Sequence, residues 1–147
     1  MNLRQRVLVV DDSPFFCRIL SDWIKGEPDM ELVGTASNGQ EAIQQAKTLA
    51  PDVIVLDLEM PVKDGLTALQ EIVREVKCSV LMSSSTTQPA VRQMSFALEF
   101  GAYDYIFKPT GKSVTESSSC KGAFLAKVRA ARPASTLIDS PQQRAGT

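Results

Sequence analysis

Histidine is absent from the 147-residue chain, which removes imidazole as a general base, triad member or metal ligand. Any chemistry must therefore run on carboxylates, lysines and hydroxyls. Cysteine is scarce: Cys17, Cys78 and Cys120 are odd in number and far apart, with no Cys-x-x-Cys pairing. They read as reduced thiols of a cytosolic chain, not as a disulfide or zinc framework. Charge of one sign is also lacking, since 16 basic residues meet 17 acidic ones for a net charge of -1. That leaves no footprint for nucleic acid or for an anionic membrane surface. Long apolar runs are missing too: Arg4 and Arg6 precede Val7 to Val10, which is far too short for a signal h-region or a membrane span. The expectation is a cytoplasmic protein whose partner is another protein or a small anion.

Apolar residues at 44% and charged residues at 22% are ordinary for one soluble domain of this length. Five short apolar runs read as strands, at 6–10 (RVLVV), 30–35 (MELVGT), 52–57 (DVIVLD), 79–84 (SVLMSS) and 103–108 (YDYIFK). Between the first two, Phe16, Ile19, Leu20, Trp23 and Ile24 recur at helical steps, opened by Ser13 as N-cap and Pro14 at N1 and closed by Gly26. A second helical stripe is Ala42, Ile43, Ala46 and Leu49, ending at Pro51, and a third is Leu66, Leu69, Ile72, Val73 and Val76. A fourth helix lies between Pro89 and Gly101. On it Val91, Met94 and Leu98 form one side and Phe96 and Phe100 the other; one stripe should face the sheet and the other a partner. Ser113 and Glu116 have capping-box spacing before a fifth helix, whose Cys120, Phe124 and Val128 share a face and which ends near Arg132. Strands without strict alternation, separated by helices, form a parallel sheet covered on both faces with right-handed crossovers. Residues 1–132 are thus expected to be one α/β domain. Residues 133–147 (PASTLIDSPQQRAGT) have no period and read as a linker or disordered tail.

In such a sheet ligands bind beyond the carboxyl ends of the strands. Strand one ends in Asp11 and Asp12, strand three in Asp57, strand four in Ser83, Ser84 and Ser85, and strand five in Lys108 followed by Pro109. Asp57 is the odd member, because VIVL runs straight into it and an unpaired carboxylate there would be desolvated at considerable cost. Three acids brought together repel one another unless a cation intervenes. Mg2+, which takes one or two carboxylates and keeps several waters, suits them better than a calcium cage. Each piece alone has a plainer explanation: DDSP as a strand-to-helix turn with a cap, Asp57 as another cap, Lys108 as a solvated strand end. Their coincidence at separate strand ends is what points to a site.

The segments VLVVDDS, DVIVLDLEMPVKDG, VLMSSS and GAYDYIFKP closely resemble the receiver domain of bacterial two-component response regulators, over about Arg6 to Arg132. LDLEMPVKDGL and the SSSTTQ turn look most like the receiver of chemotaxis protein-glutamate methylesterases. The resemblance implies a flavodoxin-like, doubly wound, five-stranded parallel sheet of order 2-1-3-4-5 with five helices. It implies that Asp57 accepts a phosphoryl group from a sensor histidine kinase. Asp12, Asp57 and the backbone carbonyl of Glu59 would then ligate Mg2+, with Asp11 acting through water. Ser84 would hydrogen-bond the phosphoryl oxygen, Lys108 would pair with it, and Tyr105 would be the switch aromatic that reshapes the face made by helix four, strand five and helix five. Lys108-Pro109 is implied to be a cis peptide.

The chain has neither histidine nor a Gly-x-Ser-x-Gly elbow, so it is not expected to be an esterase itself. It reads as a receiver that either works alone or was cut from a longer protein with a C-terminal output domain. An aspartyl phosphatase of the haloacid dehalogenase type is the alternative, but Glu59 stands where that family has a second Asp. A flavin or nucleotide module is the third reading, and DDSPFF puts acids where an anion would need backbone amides.

Overall fold

The computed structural model describes residues 4–60, 62–84, 88–108 and 118–131. Strands β1 (Gln5–Val10), β2 (Met30–Ala36), β3 (Val53–Asp57), β4 (Ser79–Ser84) and β5 (Asp104–Phe107) alternate with helices α1 (Pro14–Lys25), α2 (Gly39–Leu49), α3 (Gly65–Glu75), α4 (Gln88–Glu99) and α5 (Ser118–Ala130). The five strands form one parallel sheet in the order β2-β1-β3-β4-β5. This is the flavodoxin-like arrangement that the sequence resemblance implied.

Alternation along the strands divides the core into two layers. Leu8, Val10, Ile54, Leu56, Val80 and Met82 pack with residues of α2, α3 and α4. Val7, Val9, Val53, Val55 and Leu81 pack on the other face with Leu20 and Ile24 of α1 and Phe124 and Val128 of α5. Because β1, β3 and β4 are covered on both faces, their side chains are buried almost without interruption, which is why they read as unbroken apolar runs.

Side-chain caps fix where three helices begin at the carboxyl edge. Ser13 Oγ accepts from the Phe16 amide at 3.4 Å, Asn38 Oδ1 from Glu41 at 2.9 Å and Asp64 Oδ1 from Thr67 at 2.8 Å. Helix α4 departs from its expected facing. Met94 and Ala97 are buried, whereas Val91, Leu98, Phe96 and Phe100 are 42%, 41%, 51% and 39% exposed. The small Ala97 lets the helix sit close to the sheet, so Val91 and Leu98 flank the contact instead of filling it. The Ser113–Glu116 capping box and the Lys108-Pro109 peptide lie outside the described residues.

Candidate functional site

Each of the residues at the carboxyl edge is delivered by the end of a strand whose pairing continues to the last position. The Asp11 amide donates to the Ala36 carbonyl at 3.0 Å, and the Leu58 amide, just past Asp57, donates to the Ser83 carbonyl at 2.9 Å. The Lys108 amide donates to the Ser84 carbonyl at 2.7 Å. Parity therefore turns Asp11 and Asp57 toward the α1–α5 layer, along with Val9 and Val55. Ser84, in step with Val80 and Met82, faces the opposite layer.

The three acids converge. Asp11, Asp12 and Asp57 offer carboxylate oxygens that lie within 4.8 Å of one another. Asp11 and Asp57 are 2% and 1% exposed, while Asp12 is open to solvent. Two backbone amides brace the buried pair: Ser13 N–H donates to Asp11 Oδ1 at 2.9 Å and Glu59 N–H to Asp57 Oδ1 at 3.3 Å. Lys108 supplies the countercharge, with Nζ 2.9 Å from Asp11 Oδ2 and 3.2 Å from Asp57 Oδ2. Each of these oxygens meets the ammonium, and since a carboxylate oxygen has two lone pairs both retain accepting capacity.

The electrostatics follow from burial and from the match of charges. Desolvation raises the Asp57 carboxyl to about 7, and the neighbouring Asp11 pushes the same way, with Lys108 opposing both. Burial alone would lower the Lys108 ammonium, but Asp11 and Asp57 outweigh it and the group is raised. Two buried carboxylates against one ammonium leave a deficit of positive charge. A hard divalent cation fits that deficit: the candidate ligand atoms are all oxygens, the two buried carboxylates share one ammonium, and the third acid is exposed on the open side.

The remaining expected residues fall around this cluster. Ser84 is fully buried with its Oγ unpartnered. Tyr105, the register partner of Met82, packs against the α2–α4 layer, with its ring 5.4 Å from that of Phe107 and 5.3 Å from Lys127 Nζ. The Glu59 side chain is exposed, and its backbone amide reaches the cluster through Asp57. Sequence reasoning placed Phe16 only on the apolar stripe of the first helix, and its ring centroid lies 5.1 Å from Lys108 Nζ. It also noted Ser83 without a role; the register with Asp57 is the missing signal.

Residues 7–117 match the response regulator receiver domain. The chain belongs to the response regulator receiver family. Among curated relatives, the protein-glutamate methylesterase/protein-glutamine glutaminase of Halalkalibacterium halodurans is 40% identical over 131 residues, which cover 89% of this chain and 38% of that protein. Its counterpart in Bacillus subtilis is 41% identical over 126 residues, covering 86% and 35%. The chain thus spans little more than a third of the length of these relatives, in their receiver region. Among solved structures, the response regulator domain of Thermotoga maritima CheB has 40% identity and a TM-score of 0.79, with 87% of this receiver and 96% of that chain covered. The CheX-CheY-BeF3-Mg complex from Borrelia burgdorferi matches at 28% identity and a TM-score of 0.68, covering 84% and 86%. No helix among the described residues of this receiver is long and apolar enough to cross a membrane.

Proposed function

We propose that this receiver takes a phosphoryl group from a sensor histidine kinase onto Asp57 and passes the signal to an output domain, in chemotaxis. The observation that carries the reading is the buried pair Asp11 and Asp57 beside exposed Asp12, with Lys108 bridging the pair. A carboxylate oxygen of Asp57 would attack phosphorus in line as the bond to the donor's imidazole nitrogen breaks, and no histidine base is required because a carboxylate that ligates Mg2+ has already lost its proton. Asp12, Asp57 and the Glu59 carbonyl would hold Mg2+, with Asp11 acting through water. When bound, the ion would neutralise phosphoryl oxygens as their charge develops. Lys108 would pair with the same group, and Ser84 Oγ, buried and without a partner, would hydrogen-bond it.

Ser84 and Tyr105 share one face of the sheet, through the register Ser84 with Phe107 and Met82 with Tyr105. Movement of the hydroxyl toward a phosphoryl group would free space for the ring, and the face formed by α4, β5 and α5 would change shape. Phe96, Leu98 and Phe107, all exposed, offer apolar contacts there. Residues 1–132 form the receiver in this reading and 133–147 a linker or disordered tail, and the longer methylesterase relatives favour a linker to an output domain. Incubation with acetyl phosphate and Mg2+ followed by intact-mass measurement tests the reading. One phosphoryl addition is expected, absent without Mg2+ and absent in Asp57→Asn; no addition to the wild-type protein would overturn it.

A further inference from the structure

Ser83 lies between the two ends of the ion pair. It is the register partner of Asp57 on β3 and of Ile106 on β5, and parity turns all three toward the α1–α5 layer. Lys108, two residues beyond Ile106, turns the same way, over Phe16. Since β4 separates β5 from β3, the Lys108 side chain must cross β4 to come within 3.2 Å of Asp57 Oδ2. The β4 residue on that row is Ser83.

An unpartnered hydroxyl stands there in register with the carboxylate that the Lys108 ammonium holds. Ser83 is 1% exposed and its Oγ is buried without a hydrogen-bond partner, while Asp57 Oδ2 is buried with the Lys108 ammonium 3.2 Å away. One can donate and the other can only accept. On neighbouring strands about 4.8 Å apart, a rotation about χ1 of Ser83 would bring its hydroxyl toward the carboxylate. Leaving a buried hydroxyl unpaired is expensive and rare, so the Ser83 donor has a use.

We infer that Ser83 is a positioning residue for phosphoryl acceptance: its hydroxyl donates to Asp57 Oδ2 and fixes the carboxylate plane against Lys108. The inference rests on Asp57 being the acceptor. It gives the two consecutive serines different tasks, Ser83 toward the carboxylate on one face and Ser84 toward the phosphoryl group from the other. A small side chain at 83 also leaves room for Lys108 to pass.

The rate of phosphorylation by acetyl phosphate with saturating Mg2+ separates this from a packing role. Ser83→Ala should lower the rate at saturating donor about tenfold with the half-saturating donor concentration unchanged. Ser83→Thr, which keeps the hydroxyl, should recover most of the rate, and Ser83→Cys, which keeps the size, should not. In Mg2+-free urea unfolding, Ser83→Ala should shift the midpoint in the wild-type background and not in an Asp57→Ala background. A Ser83→Ala rate within twofold of wild type, equal rescue by Cys and Thr, or the same urea shift in both backgrounds would each overturn the inference. An unreactive wild-type protein would instead sink the acceptor reading itself, and the urea comparison would still decide whether Ser83 and Asp57 are bonded.

Discussion

Asp57 ends a fully buried strand at 1% exposure, and its carboxyl is raised from the ordinary 3.8 to about 7, first by desolvation and then by Asp11. A raised carboxyl binds its proton more tightly in the folded state than in the unfolded one. Its cost to stability is therefore absent below about pH 4, grows as pH rises, and is complete above about pH 7. Asp57→Asn removes that cost. In Mg2+-free buffer at pH 8 the variant should be the more stable protein, by roughly 1 kcal/mol or more, and the difference should vanish near pH 4. Urea midpoints measured across that range check the expectation, and a variant less stable than wild type at pH 8 contradicts it. The proposed phosphoryl acceptor is thus a residue the fold should be more stable without, a common trade at functional positions.

The elements bring that residue into reach because α3 starts immediately beside the end of β3. Gly65, the first residue of α3, donates to the Leu58 carbonyl at 3.0 Å, and a Cβ there would lie 2.3 Å from the Asp57 carbonyl oxygen and 2.7 Å from Leu58 Cα. Gly65→Ala would gain about 1 kcal/mol of helix propensity, but the overlap with backbone should dominate at about 2 kcal/mol or more of destabilisation. The displaced β3 end should also slow phosphorylation, so urea unfolding and the acetyl phosphate rate should fall together; a more stable variant would show that the helix can shift freely. Much of this arrangement was legible in the sequence. Unbroken apolar runs marked the doubly covered strands, and the acids and lysine stood at their carboxyl ends. What stayed hidden depends on neighbours in space. Val73 belonged to a helical stripe yet is 41% exposed, and Ala97, too small to weigh in a pattern, is where α4 meets the sheet. Ser83 became meaningful only through its register with Asp57, and strand order came from family resemblance because periodicity does not encode it.

At the scale of the whole molecule, ion binding at the acid cluster would be linked to folding. The unfolded chain does not hold Asp11, Asp12 and Asp57 within 4.8 Å of one another, so a cation bound by them stabilises the folded state alone. With Mg2+ at a hundredfold excess over its dissociation constant the gain is about 2.7 kcal/mol. For a domain of this size that is a rise in Tm of roughly 5–10 °C. Protonation competes with the ion, because an Asp57 carboxyl raised to about 7 must lose its proton to become a ligand. The Mg2+-dependent rise in Tm should accordingly be large at pH 8, shrink by pH 6, and be small at any pH in Asp12→Asn, whereas matched ionic strength from NaCl should reproduce none of it. Thermal unfolding with and without Mg2+ at the two pH values measures all of these effects. A rise of equal size in Asp12→Asn, or one indifferent to pH, would mean that the ion binds elsewhere and that Lys108 alone compensates the buried pair.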